Sequence, residues 1–109
     1  MLYLAAKAAL SGLIIAIVSE TDRVFLDTSG PVDVDDAALR RRVRTVKDRS
    51  LTTVVWNPWV TKAQALSDLA DDEWPEFVCV ETCNVAAFAV QLAPGQQHTM
   101  QSVVTVSRL

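Results

Sequence analysis

The chain has 109 residues, enough for one domain with a modest core, and half of them are hydrophobic, so an ordered protein is expected. Its net charge of −3 comes from 10 basic and 13 acidic residues that are spread along the sequence. A chain without a basic face lacks the electrostatic footprint of a nucleic-acid-binding protein, so composition argues against that class.

The first eighteen residues are apolar apart from Lys7, which leaves a signal peptide or a marginal membrane span as alternatives to a folded segment. No charge precedes Lys7 and no A-x-A cleavage pattern follows it, which favours the folded segment. We predict a helix over residues 2–10, where Ala and Leu are frequent. A buried strand is predicted from Leu13 to Val18, because its β-branched residues suit a sheet. A soluble, cytoplasmic protein without membrane association is therefore expected.

After Val18 most of the sequence alternates between apolar and polar residues, as strands with one buried face do. Strands are predicted around residues 23–27, 31–34, 42–47 and 51–56, with turns at 29–31 and 48–50. In the third of these strands, Val43 and Val46 are expected to point inward and the basic side chains to lie in water. The continuous apolar end of the fourth strand predicts cover on both of its faces.

Asn57 and Pro58 end the fourth strand, because proline cannot donate a ladder hydrogen bond. A short helix is predicted from Lys62 to Ala70, with Thr61 as its N-cap. Further strands are predicted over residues 76–82, 85–92 and 100–106, with a turn at 94–95. The predicted fold class is therefore all-β, a fragment of an antiparallel β-sandwich with one short connecting helix besides the N-terminal helix.

Cys79 and Cys83 are the two cysteines, and their number and spacing match neither a zinc site nor a disulfide framework. We predict reduced thiols, with Cys79 buried as a small hydrophobic residue. Asp71 and Asp72 follow the predicted helix and are expected to be solvated charges, so no metal site is predicted.

Five segments, taken together, resemble one protein family. They are residues 19–26 (SETDRVFL), 56–59 (WNPW), 71–74 (DDEW), 78–81 (VCVE) and 92–95 (LAPG). The chain looks like the C-terminal part of the hexose-6-phosphate mutarotases, the glucose-6-phosphate 1-epimerase-like relatives of galactose mutarotase. The resemblance covers residues 19–109 and implies a galactose mutarotase-like β-sandwich, with residues 1–18 as an apolar N-terminal segment without a family match.

The resemblance also implies a catalytic role for Glu81, the glutamate of the V-C-V-E strand. In this family the glutamate is the general base that removes the anomeric proton, while a histidine protonates the ring oxygen. That histidine and the phosphate-binding arginines belong to an upstream part that has no counterpart in this sequence. A hexose phosphate or another aldose is the implied substrate, and no cofactor is implied.

The surroundings of Glu81 single it out independently, since a carboxylate that follows Phe77, Val78 and Val80 in an apolar strand needs a partner or a function. The alternative is a glutamate on an edge strand, in solvent or paired with an arginine. His98 is the only histidine, and its polar surroundings predict an exposed loop residue without a catalytic role.

The tryptophans and the arginine cluster each allow two interpretations. Trp56, Trp59 and Trp74 could stack on a sugar, but we favour packing around the helix, with Asn57 bonded to nearby backbone. The cluster from Arg40 to Arg44 could bind phosphate, but the outward face of a strand and its turn is favoured.

Two functions remain open at this point. The first is a hexose-6-phosphate 1-epimerase that interconverts α and β anomers through Glu81, as an incomplete chain. The second is a catalytically inactive relative that serves as a carbohydrate-binding or assembly module. In either case a sheet cut from a larger sandwich leaves apolar faces and strand edges uncovered, so self-association or poor solubility is expected.

Overall fold

The structure is a computed structural model that describes residues 6–10 and 12–109. In this part of the chain, eight strands are accompanied by one α-helix. The strands are β1 (Ala6–Leu10), β2 (Leu13–Ala16), β3 (Thr21–Leu26), β4 (Val32–Asp36), β5 (Arg41–Asp48), β6 (Thr52–Asn57), β7 (Cys79–Cys83) and β8 (Gln101–Arg108). The helix, α1, is Trp59–Ala65, and short 3₁₀ turns lie at Trp74–Glu76 and Ala86–Phe88.

The strands form two antiparallel sheets. The five-stranded sheet has the order β2-β1-β4-β5-β8, and the three-stranded sheet has the order β3-β6-β7. Ile15, Ile17 and Val32, from the side of the larger sheet, pack against Val55 of β6 in one core cluster. The prediction of an all-β, antiparallel fold of two sheets with a short connecting helix is confirmed.

The N-terminal helix predicted over residues 2–10 is wrong where the structure describes it, because Ala6–Leu10 form strand β1. Residues 2–5 lie outside the described residues. β1 pairs with β2 across a turn at Gly12, whose φ is 83°, and with β4 on its other edge. Pairing on both edges outweighs the modest helix propensity of Ala and Leu.

The strand predicted from Leu13 to Val18 is present as β2, although only one of its faces is covered. Ile15 is 8% exposed, whereas its neighbour Ile14 is 67% exposed. The side chains of a strand alternate between its two faces, so the apolar residues of β2 divide between the core and solvent.

β5 is a strand as predicted, but its faces are not those expected. Val46 is 48% exposed and Lys47 only 8%, so the expectation that Val46 points inward and every basic side chain lies in water is wrong. The alternation of a strand places residues 43, 45 and 47 on one face. That face is the inner one, and it buries Thr45 together with Lys47.

Lys47 links the two sheets through its ammonium group. Nζ donates to Thr53 Oγ1 at 2.8 Å, to the Thr52 carbonyl oxygen at 2.9 Å and to Thr28 Oγ1 at 3.1 Å. These three acceptors use the three N–H donors of an ammonium group. Burial lowers the pKa of Lys47, because the charged form loses hydration.

The helix predicted from Lys62 to Ala70 is shifted in the structure. α1 begins at Trp59 and ends at Ala65, after which Leu66 is extended, so Thr61 is not the N-cap. Pro58 occupies that position with φ −70°, a value that suits the start of a helix. No helix in the described part of the chain is long and apolar enough to cross a bilayer.

The C-terminal strands are predicted correctly at two of three places. β7 forms at Cys79–Cys83 and β8 at Gln101–Arg108. The strand predicted over residues 85–92 is wrong, since a 3₁₀ turn at Ala86–Phe88 is followed by irregular chain. Ala86 has φ 54°, a left-handed backbone conformation that a strand cannot continue through.

Candidate active site

The three-stranded sheet has an inner and an outer face of different character. Val55 and Val80 lie opposite each other on β6 and β7 and pack into the core, which defines the inner face. On the outer face, residues of β3, β6 and β7 that lie opposite one another form three rows. These rows are Asp22–Trp56–Cys79, Val24–Val54–Glu81 and Leu26–Thr52–Cys83. Val24 and Leu26 are 51% and 49% exposed, so the β3 side of this face is open.

Asn57 fixes one end of this face. It is fully buried, and its Nδ2 donates to the carbonyl oxygens of Trp74 at 2.9 Å and Phe77 at 2.8 Å. Its Oδ1 accepts from the Trp59 backbone N–H at 2.9 Å. Asn57 therefore ties the end of β6 to the start of α1 and to the segment that leads into β7, which confirms the predicted backbone contacts of this side chain.

The three tryptophans divide between two roles. The rings of Trp59 and Trp74 lie 4.3 Å apart, so these two residues pack against each other beside α1, as expected. Trp59 has a φ of 59°, an uncommon value for a large side chain. Trp56 instead lies on the outer face of the sheet, half-buried, with its ring 5.9 Å from that of Phe77.

Hydrogen bonds around Asn84 fix the other end of β7. Asn84 Oδ1 accepts from the Leu51 backbone N–H at 2.9 Å, and its Nδ2 donates to the Arg49 carbonyl oxygen at 2.8 Å. Ser50 Oγ donates to the Cys83 carbonyl oxygen at 2.7 Å. β7 is therefore held to the β5–β6 connection at one end and to Asn57 at the other, which limits its movement relative to β6.

Glu81 lies between these two fixed ends, in the middle of β7 on the outer face and opposite Val54. The strand is half-buried, but Glu81 itself is exposed on the last strand of its sheet, as in the alternative of an edge-strand glutamate in solvent. Glu81 is exposed because its side chain points to the outer face, which is uncovered at this position. No hydrogen bond or ion pair of the Glu81 carboxylate is formed within the described residues.

Cys79 shares the outer face of β7 with Glu81. The pKa of the Cys79 thiol is raised, chiefly by burial and further by the negative charge of Glu81. Both cysteines are free thiols, as predicted, and Cys79 is half-buried. Within the described ranges, no group of three His, Cys, Asp or Glu residues is placed to hold a metal ion.

Asp22 is a second carboxylate on the outer face, and the sequence prediction overlooked it. It is exposed and lies opposite Trp56 in the register of β3 and β6. The alternating side-chain direction along Thr21 to Leu26 predicts that Asp22 shares a face with Val24 and Leu26, away from the core. The outer face thus combines an aromatic ring with two carboxylates on different strands, a combination that can contact both the apolar and the hydroxyl surface of a sugar.

Neither His98 nor the arginine cluster is bonded to Glu81 among the described residues. His98 is exposed in the irregular segment before β8, and no hydrogen bond or ion pair connects it with Glu81 in the described part of the chain. Arg44 and Asp33 form a bidentate pair with both distances 2.7 Å, and Arg42 pairs with Asp35 at 2.7 and 2.9 Å. These arginines therefore lie on the exposed face of a strand and bind carboxylates, as the favoured interpretation expected.

Two open depressions of about 400 Å³ each lie elsewhere on the surface. One is between the Leu39–Arg41 segment and the end of β8, and the other lies between Glu20 and the start of α1. Neither is lined by Glu81. Glu81 is itself exposed and belongs to neither depression.

Comparison with known proteins decides the family. The family model described as aldose 1-epimerase matches residues 6–105. The chain belongs to the aldose 1-epimerase family. The match begins inside the N-terminal segment that the sequence resemblance left uncovered, and it agrees with the galactose mutarotase-like β fold of the two sheets.

Three curated relatives carry the name "Putative glucose-6-phosphate 1-epimerase". The protein of Cenchrus ciliaris is 33% identical over 83 residues, which are 76% of this chain and 25% of the relative. That of Salmonella typhimurium strain LT2 is 37% identical over 67 residues (62% and 23%), and that of Escherichia coli K12 is 31% identical over 88 residues (81% and 30%). This member of the aldose 1-epimerase family therefore spans about a quarter of the length of these relatives. No solved structure matches the chain.

Proposed function

We propose that this chain forms the part of a hexose-6-phosphate 1-epimerase site that contains the general base, Glu81. The observation that carries the proposal is the position of Glu81 at the centre of the outer face, on a strand held at both ends. A base must be held within hydrogen-bonding reach of the proton it removes, and fixed strand ends supply that constraint. Family membership and the names of the relatives supply the reaction and the substrate class.

The proposed chemistry needs a base and an acid on the same sugar. The Glu81 carboxylate accepts the proton of the anomeric hydroxyl, and an acid donates a proton to the ring oxygen as the C1–O5 bond breaks. Rotation about the C1–C2 bond of the open aldehyde and return of both protons close the ring as the other anomer. Each acid–base partner contributes about 10²–10⁴-fold to such a rate.

Two neighbours of Glu81 fit this chemistry by their placement. Trp56 lies on the adjacent strand, one row along the same face, where its ring could stack on the apolar face of a pyranose. Asp22, opposite Trp56, could accept hydrogen bonds from sugar hydroxyls. With Glu81 they line one face from three strands, as a sugar lying flat on the sheet would require.

The second candidate function is an inactive carbohydrate-binding or assembly module. It is favoured by the lack of a hydrogen bond or ion pair between His98 and Glu81 in the described residues and by the exposure of Glu81. A base without its acid supplies only part of the rate. Both candidate functions use the outer face. They differ in whether a proton donor joins Glu81 there.

Exchange spectroscopy distinguishes the two candidates. Residues 6–105 of this chain would replace the matching region of the Escherichia coli relative, and anomer exchange of glucose 6-phosphate would be followed by two-dimensional NMR, with the unmodified relative as positive control. The epimerase proposal expects exchange well above buffer by the chimera and little by the 109-residue chain alone. A folded chimera without exchange, beside an active parent, would instead support the module.

A further inference from the structure

β8 offers a long unpaired strand edge. It pairs with β5 over eight residues, from Arg41 opposite Arg108 to Asp48 opposite Gln101, and its other edge faces no strand in the described part of the chain. Every residue of β8 is exposed. An exposed edge with free N–H and C=O groups is a template for pairing with another strand.

We propose that this edge is a dimer interface, at which β8 pairs antiparallel with β8 of a second copy of the chain around a two-fold axis at Thr105. The pairing would join two five-stranded sheets into one continuous sheet. It would give hydrogen-bond partners to the free N–H and C=O groups of both edges, as in peptide recognition by strand addition. The proposal is independent of the catalytic role of Glu81.

The other free edges are poorer candidates for self-pairing. β2 has only four residues, and β3 carries the charges of Asp22 and Arg23. β7 has Glu81 at its centre, so two-fold pairing around that residue would place two carboxylates against each other, which is unfavourable. β8 is twice as long as β2 and carries its only charge at Arg108, near its end.

The sequence of β8 is complementary to itself in one register. An antiparallel two-fold pair places residues of the same face opposite each other, so each candidate register is centred on a residue. Centred on Thr105, Val104 of each copy faces Val106 of the other, and Arg108 faces Ser102. Centring on Val103 or Val104 leaves only one valine pair, on the axis. The Thr105 register therefore pairs the most apolar surface and opposes no like charges.

The valines of this register also extend the inner face of the larger sheet. Val104 and Val106 lie opposite Thr45 and Val43 of β5, on the same face as the buried Lys47, yet they are 57% and 63% exposed. Dimerisation would bring four such valines together beside Val43. Burial of exposed apolar surface is the driving force expected for such an interface.

Disulfide trapping tests the register. In the Thr105-centred pair the two copies of residue 105 face each other, with Cα atoms about 4.5–5.5 Å apart. Disulfides need a Cα separation of about 4.4–6.8 Å. Thr105→Cys should therefore form a covalent dimer under mild oxidation, and a reductant should reverse it. Val103→Cys is the matched control, because the two copies of residue 103 would be about 14 Å apart along the strands, at about 3.4 Å per residue. The unchanged chain measures the background from Cys79 and Cys83. Equal trapping of both variants would overturn the register.

Charge substitutions test the interface without relying on a disulfide. By sedimentation the unchanged chain should be a dimer, whereas Val104→Lys/Val106→Lys and Val104→Glu/Val106→Glu should each be monomeric, because like charges would then face each other. Mixing the two double variants should restore a dimer of one copy of each, which also shows that both are folded. A monomeric unchanged chain, larger assemblies that the substitutions do not change, or no recovery on mixing would each overturn the proposal.

Discussion

Asn57 shows how one buried side chain can position a strand that carries a functional residue. Its amide uses both donors and its oxygen in three bonds to backbone groups on two different segments. The sequence suggested such contacts, because Asn before Pro at the end of a strand is a typical turn residue. It could not show that one of the partners is Phe77, two residues before the strand of Glu81.

Replacement of this amide should therefore destabilise the fold. Asn57→Ala leaves buried backbone groups without partners, which costs about 1–3 kcal/mol. Urea unfolding should detect this as a lower midpoint. Gln64→Ala is the control, since Gln64 is exposed on α1 and alanine is a good helix former. Equal stability of Asn57→Ala and the unchanged chain would contradict the structural role assigned to Asn57.

Lys47 makes a second testable contribution, in its dependence on pH. Its pKa in the folded chain is lowered by burial, whereas the unfolded value is about 10.4. Between the folded and unfolded pKa values, the unfolded chain holds a proton that the folded chain has lost. Stability arising from this group therefore increases as the pH rises through that window.

The measurement compares the unchanged chain with Lys47→Met in urea unfolding from pH 7 to 10.5. The free energy of unfolding of the unchanged chain should rise relative to that of the variant toward high pH. Cys79, whose raised pKa acts in the opposite direction, is present in both chains and cancels in the difference. A difference that stays constant or falls with pH would show that the Lys47 ammonium is not desolvated.

At the scale of elements, the β4–β5 pair is reinforced by three cross-strand ion pairs, Asp33 with Arg44, Asp35 with Arg42 and Asp36 with Arg41. Hydrogen bonds from Arg44 lower the pKa of Asp33 despite an opposing effect of burial. A carboxyl whose pKa is lower in the folded chain stabilises it above the unfolded pKa of about 3.9, and this contribution is lost as the pH falls through the folded pKa.

Asp33→Asn should remove this acid-dependent contribution. The unchanged chain should be more stable than the variant near neutral pH, and the gap should close as the pH falls from about 4 through the lowered pKa of Asp33 in the folded chain. Thermal unfolding between pH 2.5 and 7 measures the gap, with Asp68→Asn as an exposed control outside the strands. A gap that is independent of pH would mean that the ion pair does not stabilise the strand pair.

The elements also show which features the sequence can predict. Local pattern and turn residues were sufficient to place β3, β4, β5, β6, β7 and β8 as strands. Residues 6–10 form a strand because both of their edges are paired, which propensity does not reveal. Residues 85–92 do not form one because the backbone turns at Ala86, and no residue type there signals that turn. The charge of Lys47 predicts exposure, but the period-two pattern of β5 places it on the inner face with Val43, where it is buried.

At the scale of the whole molecule, the position of Glu81 depends on which face of the smaller sheet is covered. The resemblance singles out Glu81 from the V-C-V-E strand, but its exposure depends on the outer face of the smaller sheet being uncovered there, which the sequence does not show. Trp56 and Asp22 join it on the outer face through strand register, which the sequence does not state. No histidine of the described residues is bonded to Glu81, and this chain spans about a quarter of the length of its curated relatives.

The most direct test of the central proposal is the anomer-exchange rate of glucose 6-phosphate in the chimera that carries residues 6–105 of this chain, compared with its Glu81→Gln variant. This substitution keeps the shape of the side chain and removes its ability to accept a proton at neutral pH. The rate should fall by about 10²–10⁴-fold, with circular dichroism unchanged. Glu76→Gln, which alters an exposed carboxylate in the 3₁₀ turn before β7, should leave the rate unchanged. Equal exchange rates with Glu81 and with Glu81→Gln would contradict the assignment of Glu81 as the general base.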